Sequence, residues 1–122
     1  MTEIRDIFEG DVIEVWYDIE NSGYNMHFIP NNTSFFFHYT SVFYDLQRCL
    51  EAWKRYEEYH GDHVSIYQIK EEGDIEIQLV FRYTGAVAIT KDQSEVTRKD
   101  LEESVQTVIA IDQKANMKRK WN

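Results

Sequence analysis

The sequence predicts a two-layer α+β domain: an antiparallel meander sheet in the order βββα-βββα, with two helices packed on one face. Three observations predict it. Runs of period-two alternation mark strands, two stripes of apolar residues at helical spacing mark helices, and short turns rich in Asn, Gly and Pro connect neighbouring strands. No Gly-rich phosphate loop of a βαβ unit is present. At 122 residues the chain can bury about two thirds of its unfolded surface in one core, so residues 1–122 read as a single domain.

Residues 11–20 alternate, with Ile13, Val15, Tyr17 and Ile19 on one face and Glu14, Trp16 and Asp18 on the other. Asn21-Ser22-Gly23 turns the chain, and Tyr24, Met26 and Phe28 continue the apolar face. Pro30-Asn31-Asn32 makes the next turn, and residues 34–39 form a third strand. The overlapping sequons at Asn31 and Asn32 read as turn chemistry.

A helix follows, with Thr40 or Ser41 as N-cap and Val42, Leu46, Cys49, Leu50, Trp53 and Tyr56 as its apolar stripe. Cys49 lies within that stripe and reads as a buried structural thiol, since a reactive cysteine needs exposure and a positive neighbourhood. His60 and Gly61 are expected to close the helix, with Gly61 as the left-handed residue.

Strands resume at residues 63–71, and Glu72-Gly73 turns into residues 74–83, where Ile75, Ile77, Leu79 and Phe81 alternate. Thr84-Gly85 leads to a short strand at residues 86–90. The last helix is expected to start at Thr97, with Asp100 three residues later and Val96 and Leu101 as a hydrophobic staple. Leu101, Val105, Val108, Ile109 and Ala115 supply its buried face, and Lys118, Arg119 and Lys120 suit the negative end of its dipole.

Charge narrows the partners. Net charge is −9, with 16 acids and 6 bases in residues 1–90 but 6 acids and 7 bases in residues 91–122. Seven acids stand against Arg5 alone in the first 20 residues. A field of that sign repels phosphate backbones and attracts basic proteins, so direct nucleic-acid binding is disfavoured. No apolar run approaches the roughly 20 residues of a membrane span. One cysteine allows no internal disulfide, and residues 1–10 lack the basic start and apolar run of a signal peptide; both predict a reducing, cytoplasmic location.

No nucleophilic triad, phosphate loop or HExxH pattern can be read, and no catalytic residue, cofactor or metal is assigned. The densest polar stretch is "EEYHGDH", residues 57–63, where His60 and His63 stand three apart beside Glu58 and Asp62. A zinc site would still need a ligand from elsewhere, and the end of a helix explains the same residues.

The more informative constellation lies on the outer face of the first three strands. Four-residue loops at residues 20–23 and 30–33 would set Tyr17 opposite Met26 and Phe28 opposite Phe35. The other face then aligns Trp16, His27 and Phe36 in one row, with Asp18, Asn25 and His38 beside it and Glu14, Ile29 and Ser34 on the far side. Aromatic anchors rimmed by carboxylates suit an interface with a basic protein. The face is open to two other uses: coverage by residues 1–10, or self-association into a homodimer.

The strand "SFFFHYT", the helix "SVFYDLQRCLEAW", the hairpin "VSIYQIKEEGDIEIQLVFRY" and the helix "RKDLEESVQTVIAI" together resemble the small acidic immunity proteins encoded beside bacterial polymorphic and contact-dependent toxins. The resemblance spans residues 11–112 and is one of size, charge and element order. It implies a cytoplasmic protein that blocks a cognate toxin, often a basic nuclease, by occluding its active site or an adjacent surface. The residues and the resemblance converge on a non-enzymatic binding module using Glu14, Trp16, Asp18, His27, Phe36 and His38. The alternative is a small enzyme or ligand-binding protein with a His/carboxylate pocket between sheet and helices, or a homodimeric structural domain.

Overall fold

A computed structural model of the chain describes residues 4–71, 74–82, 85–89 and 94–120. It is an α+β structure whose meander divides into two four-stranded antiparallel sheets. The first holds β1 (Ile4–Glu9), β2 (Ile13–Asp18), β3 (Gly23–Phe28) and β4 (Thr33–Phe37), and the second holds β5 (Tyr59–His60), β6 (Val64–Glu71), β7 (Asp74–Phe81) and β8 (Gly85–Ile89). Helix α1 (Ser41–Lys54) follows the first sheet and α2 (Ser94–Lys120) ends the chain. Strands β1 and β5 are additions to the expected order. β1 is hidden in the sequence because a register shift between Asp6 and Phe8 breaks its alternation.

Helix α1 packs on β5 and β6, α2 packs on β1 and β2, and the helices touch each other. The inner residues Ile13, Val15, Met26, Phe28 and Phe35 of the first sheet join Val64, Ile66, Ile77, Leu79 and Phe81 of the second in one buried cluster. Phe35 stacks on Phe81 at 4.2 Å between ring centroids, which couples the sheets. Val42, Phe43, Leu46, Cys49, Leu50 and Trp53 of α1 and Leu101, Val105, Val108 and Ile109 of α2 complete the core. Cys49 is fully buried there, and burial, with a smaller push from Asp45, raises its thiol pKa to about 12.

Strand and helix boundaries differ from the sequence expectation, three of them with identifiable local causes or consequences, and β4 also ends at Phe37 rather than at residue 39. Helix α1 ends at Lys54 instead of His60: Tyr56 N–H bonds Trp53 O at 2.9 Å and Glu57 N–H bonds Ala52 O at 2.8 Å, the paired bonds of a Schellman ending. Tyr56 takes the left-handed residue's place at φ 57°, so its ring leaves the apolar stripe and is 75% exposed. Strand β2 stops at Asp18 because its carboxylate accepts Asn21 N–H at 3.1 Å and Asn21 Nδ2 at 2.6 Å, and Ile19 is thereby turned out to solvent. Helix α2 starts at Ser94, which places Thr97 inside its first turn rather than at its cap. The turns predicted at Glu72-Gly73 and Thr84 and the side chains of Val96 and Ala115 lie outside the described residues.

Candidate functional site

The early stop of β2 decides the register of the first sheet. With residues 19–22 forming the loop, Tyr17 pairs with Tyr24, Val15 with Met26 and Ile13 with Phe28. A second four-residue loop, built on the 3-10 turn Ile29–Asn31 and left-handed Asn32 at φ 50°, pairs Phe28 with Thr33 and Met26 with Phe35. Both pairings slip by two residues from the expected register. A slip of two keeps every paired side chain on its face, so apart from Ile19, which leaves the strand, the inner and outer sets stand while the rows change.

The outer rows are therefore corrected. Trp16 pairs with Asn25, and Asn25 with Phe36; His27 leaves that row for the next, between Glu14 and Ser34. Asp18 faces Gly23, and His38 lies just beyond β4, where its Nδ1–H donates to Ser22 O at 3.1 Å. β1 adds Asp6 opposite Trp16 and Glu9 opposite Glu14. It lies in the plane of the sheet as an edge strand, so Ile4–Glu9 does not fold across the face. The face carries Asp6, Glu9, Glu14 and Asp18, with neither Lys nor Arg at its strand positions.

Trp16 and Phe36 are half-buried. The Phe36 ring lies over Gly23, where any Cβ would run into it, so the glycine is a seat for the aromatic ring. Phe36 also meets the His38 ring edge-on at 4.9 Å. His27 is held in a short relay, its Nε2 at 2.9 Å from Asn32 Oδ1 and its Nδ1 at 3.6 Å from Glu14 Oε2. The two hydrogen bonds from Asn21 side chain and backbone hold Asp18 below the usual aspartate pKa, the side-chain bond contributing most.

His38 opens into a second feature. A surface hollow of about 240 Å³ lies where the two sheets meet the start of α1, lined by Phe36, Phe37, His38, Tyr39, Val42, His63, Phe81 and Arg82. It brings together two of the four histidines, His38 and His63, and no carboxylate among the described residues. Sequence reasoning missed it because its walls come from three separated segments.

The stretch "EEYHGDH" becomes the start of the second sheet. Tyr59 pairs with Ile66 and His60 with Ser65, and Gly61 N–H closes the turn on Val64 O at 3.0 Å. Buried Asp45 on α1 accepts His63 N–H at 2.7 Å and Val64 N–H at 3.4 Å, and a Cβ on Gly61 would lie 2.6 Å from its Oδ2. His63 Nε2 sits 3.0 Å from Ser41 Oγ, while His60 lies against Tyr67 and near Glu58. The two rings have different partners. Among the described residues no group of three or more His, Cys, Asp or Glu is arranged to hold a metal ion, and no helix is long and apolar enough to cross a membrane.

The sequence matches no model of a known protein family, and no curated protein or solved structure matches it.

Proposed function

We propose that the protein is a non-enzymatic binding module, an immunity-type inhibitor that holds a basic partner protein, such as a cognate toxin, on the outer face of its first sheet. One observation carries this reading: Trp16 and Phe36 stand half-buried among Asp6, Glu9, Glu14 and Asp18 on a sheet face with neither Lys nor Arg at its described strand positions. The aromatic rings supply area to be buried, and the carboxylates speed the encounter with a basic surface. Both helices pack on the other side of this sheet or on the second one, which leaves the face for a partner. A reducing, cytoplasmic setting belongs to the same proposal, with Cys49 as an inert core thiol.

Affinity capture with wild-type protein and with Trp16→Ala and Glu14→Lys tests it. A basic protein retained by the wild type should be lost from both variants. Trp16→Ala should weaken the complex by about 2 kcal/mol, the scale of an aromatic hot spot. Raised salt should slow association, because exposed charges steer only within a Debye length. Equal retention by all three proteins would refute the assignment of this face.

A further inference from the structure

We propose that the hollow beside the sheet face is an anchor pocket for one aromatic side chain of the bound protein, best filled by the phenol of a tyrosine. The proposal deepens the binding-module reading and rests on it for the identity of the occupant's owner.

Size limits the occupant first. The hollow holds about 240 Å³, below the roughly 300–1,000 Å³ that encloses a drug-sized ligand, and so has room for one large side chain. The lining fixes the chemistry. Phe36, Phe37, Tyr39, Val42 and Phe81 present apolar and aromatic surface, and among the described residues no carboxylate lines the hollow to attract a lysine. Arg82 stands in the wall, with Nη1 donating to Asp62 O at 3.4 Å. An aromatic ring with a polar edge fits best, since Tyr buries a large apolar body while keeping one hydroxyl to place.

The polar edge has an identified partner. His38 donates its Nδ1–H to Ser22 O, so in the neutral ring Nε2 is the acceptor. A phenol O–H can donate to that nitrogen, whereas a phenylalanine ring leaves it unused. His63, on the opposite wall, already has its Nε2 engaged with Ser41 Oγ. Tyr39 is 65% exposed at the rim, its ring 6.1 Å from that of His63 and 6.4 Å from that of His38. A ring closing the rim while water reaches most of it is placed to cover an incoming side chain.

Position gives the hollow its owner. Phe36 belongs both to the Trp16–Asn25–Phe36 row and to the hollow's wall, and His38 follows it directly along the chain. A protein lying on the acidic face therefore reaches the hollow without leaving the surface. The acidic face would set the approach and the hollow the register.

The test needs no partner. 4-Methylphenol, toluene and n-butylammonium, standing for Tyr, Phe and Lys side chains, are titrated into 15N-labelled protein at pH 7.5 and followed by amide chemical shifts. 4-Methylphenol should bind at millimolar concentration and shift amides of residues 36–42, 63 and 81–82, toluene should bind several-fold more weakly, and butylammonium should not bind there. Tyr39→Ala should weaken 4-methylphenol about threefold to tenfold, His38→Phe should erase its advantage over toluene, and Val42→Trp should fill the hollow and abolish both. Should Val42→Trp fail to fold, the two surface variants decide. Absence of shifts at these residues, the same titration in Tyr39→Ala and His38→Phe, or butylammonium binding as tightly as the phenol would overturn the proposal. Trp16→Ala separates the two ideas. Phenol binding without any partner capture refutes the sheet-face reading alone, and partner capture that depends on Trp16 without phenol binding refutes the hollow alone.

Discussion

The outer face of the first sheet and the turn at Gly61 are both dense in histidine and carboxylate, yet they use those groups in opposite ways. At the turn the organising polar group is inside the protein, with Glu58, His60 and Asp62 left exposed around it: buried Asp45 accepts two backbone N–H groups, Gly61 leaves room for it, and His63 is tied to Ser41. On the sheet, Glu14 and Asp18 make local bonds to His27 and Asn21 but keep their charge at the surface beside Trp16. The lesson is that polar density does not mark a site. A buried, satisfied cluster builds the fold, whereas charge left at the surface beside half-buried aromatic rings is available to a partner.

The contrast breaks if variants at the two places fail to separate stability from binding. Asp45→Ala carries the largest expected effect, a loss of about 2–3 kcal/mol in denaturant unfolding, because two backbone donors lose their carboxylate in the interior. Trp16→Ala should cost binding about 2 kcal/mol and destabilise the fold less than Asp45→Ala does, since its ring is only half-buried. A large stability loss in Trp16→Ala with binding intact would reverse the roles of the two regions.

Smaller effects sharpen the account of the turn and the core. In wild-type protein Cys49 should resist thiol reagents until the chain unfolds, as a thiol raised to about 12 holds almost no thiolate near neutrality. Its folded pKa lies above the unfolded value, so its contribution to stability is complete below the unfolded pKa of about 8.5 and is lost as pH rises above it. Between pH 7 and 9.5 the wild type should lose about 1 kcal/mol more than Cys49→Ala, measured by denaturant unfolding at both pH values. Tyr56→Gly should stabilise by about 1 kcal/mol in the same assay, because glycine takes the left-handed position without the Cβ penalty and the exposed ring contributes little.

Much of the fold was legible because periodicity reports burial directly. Ile13, Val15, Met26, Phe28 and Phe35 alternate in the sequence and are buried in the structure, and Val42, Leu46, Cys49, Leu50 and Trp53 keep helical spacing and fill the core. The end of α1 was misplaced because Gly61 is the residue expected to follow a helix. The backbone instead turns at Tyr56, and Gly61 answers to Asp45, a neighbour 16 positions away in sequence. Strand parity put Glu14, Trp16, Asp18, His27 and Phe36 on one face, but it did not give their rows, and His38 lies beyond the end of β4.

The sequence by itself determined which side chains share a face, because strand geometry alternates whatever the pairing, and it determined the acidic charge of the first sheet. Tertiary structure decided the rest. The Asp18–Asn21 bonds set where the first loop begins and so which residues stand opposite one another. Asp45 sets the Gly61 turn, and the packing of both sheets against α1 brings Phe36, His38, Tyr39, His63 and Arg82 around one hollow. Each of these depends on groups brought together across a loop or between elements, and a periodicity along one chain carries no record of such distances.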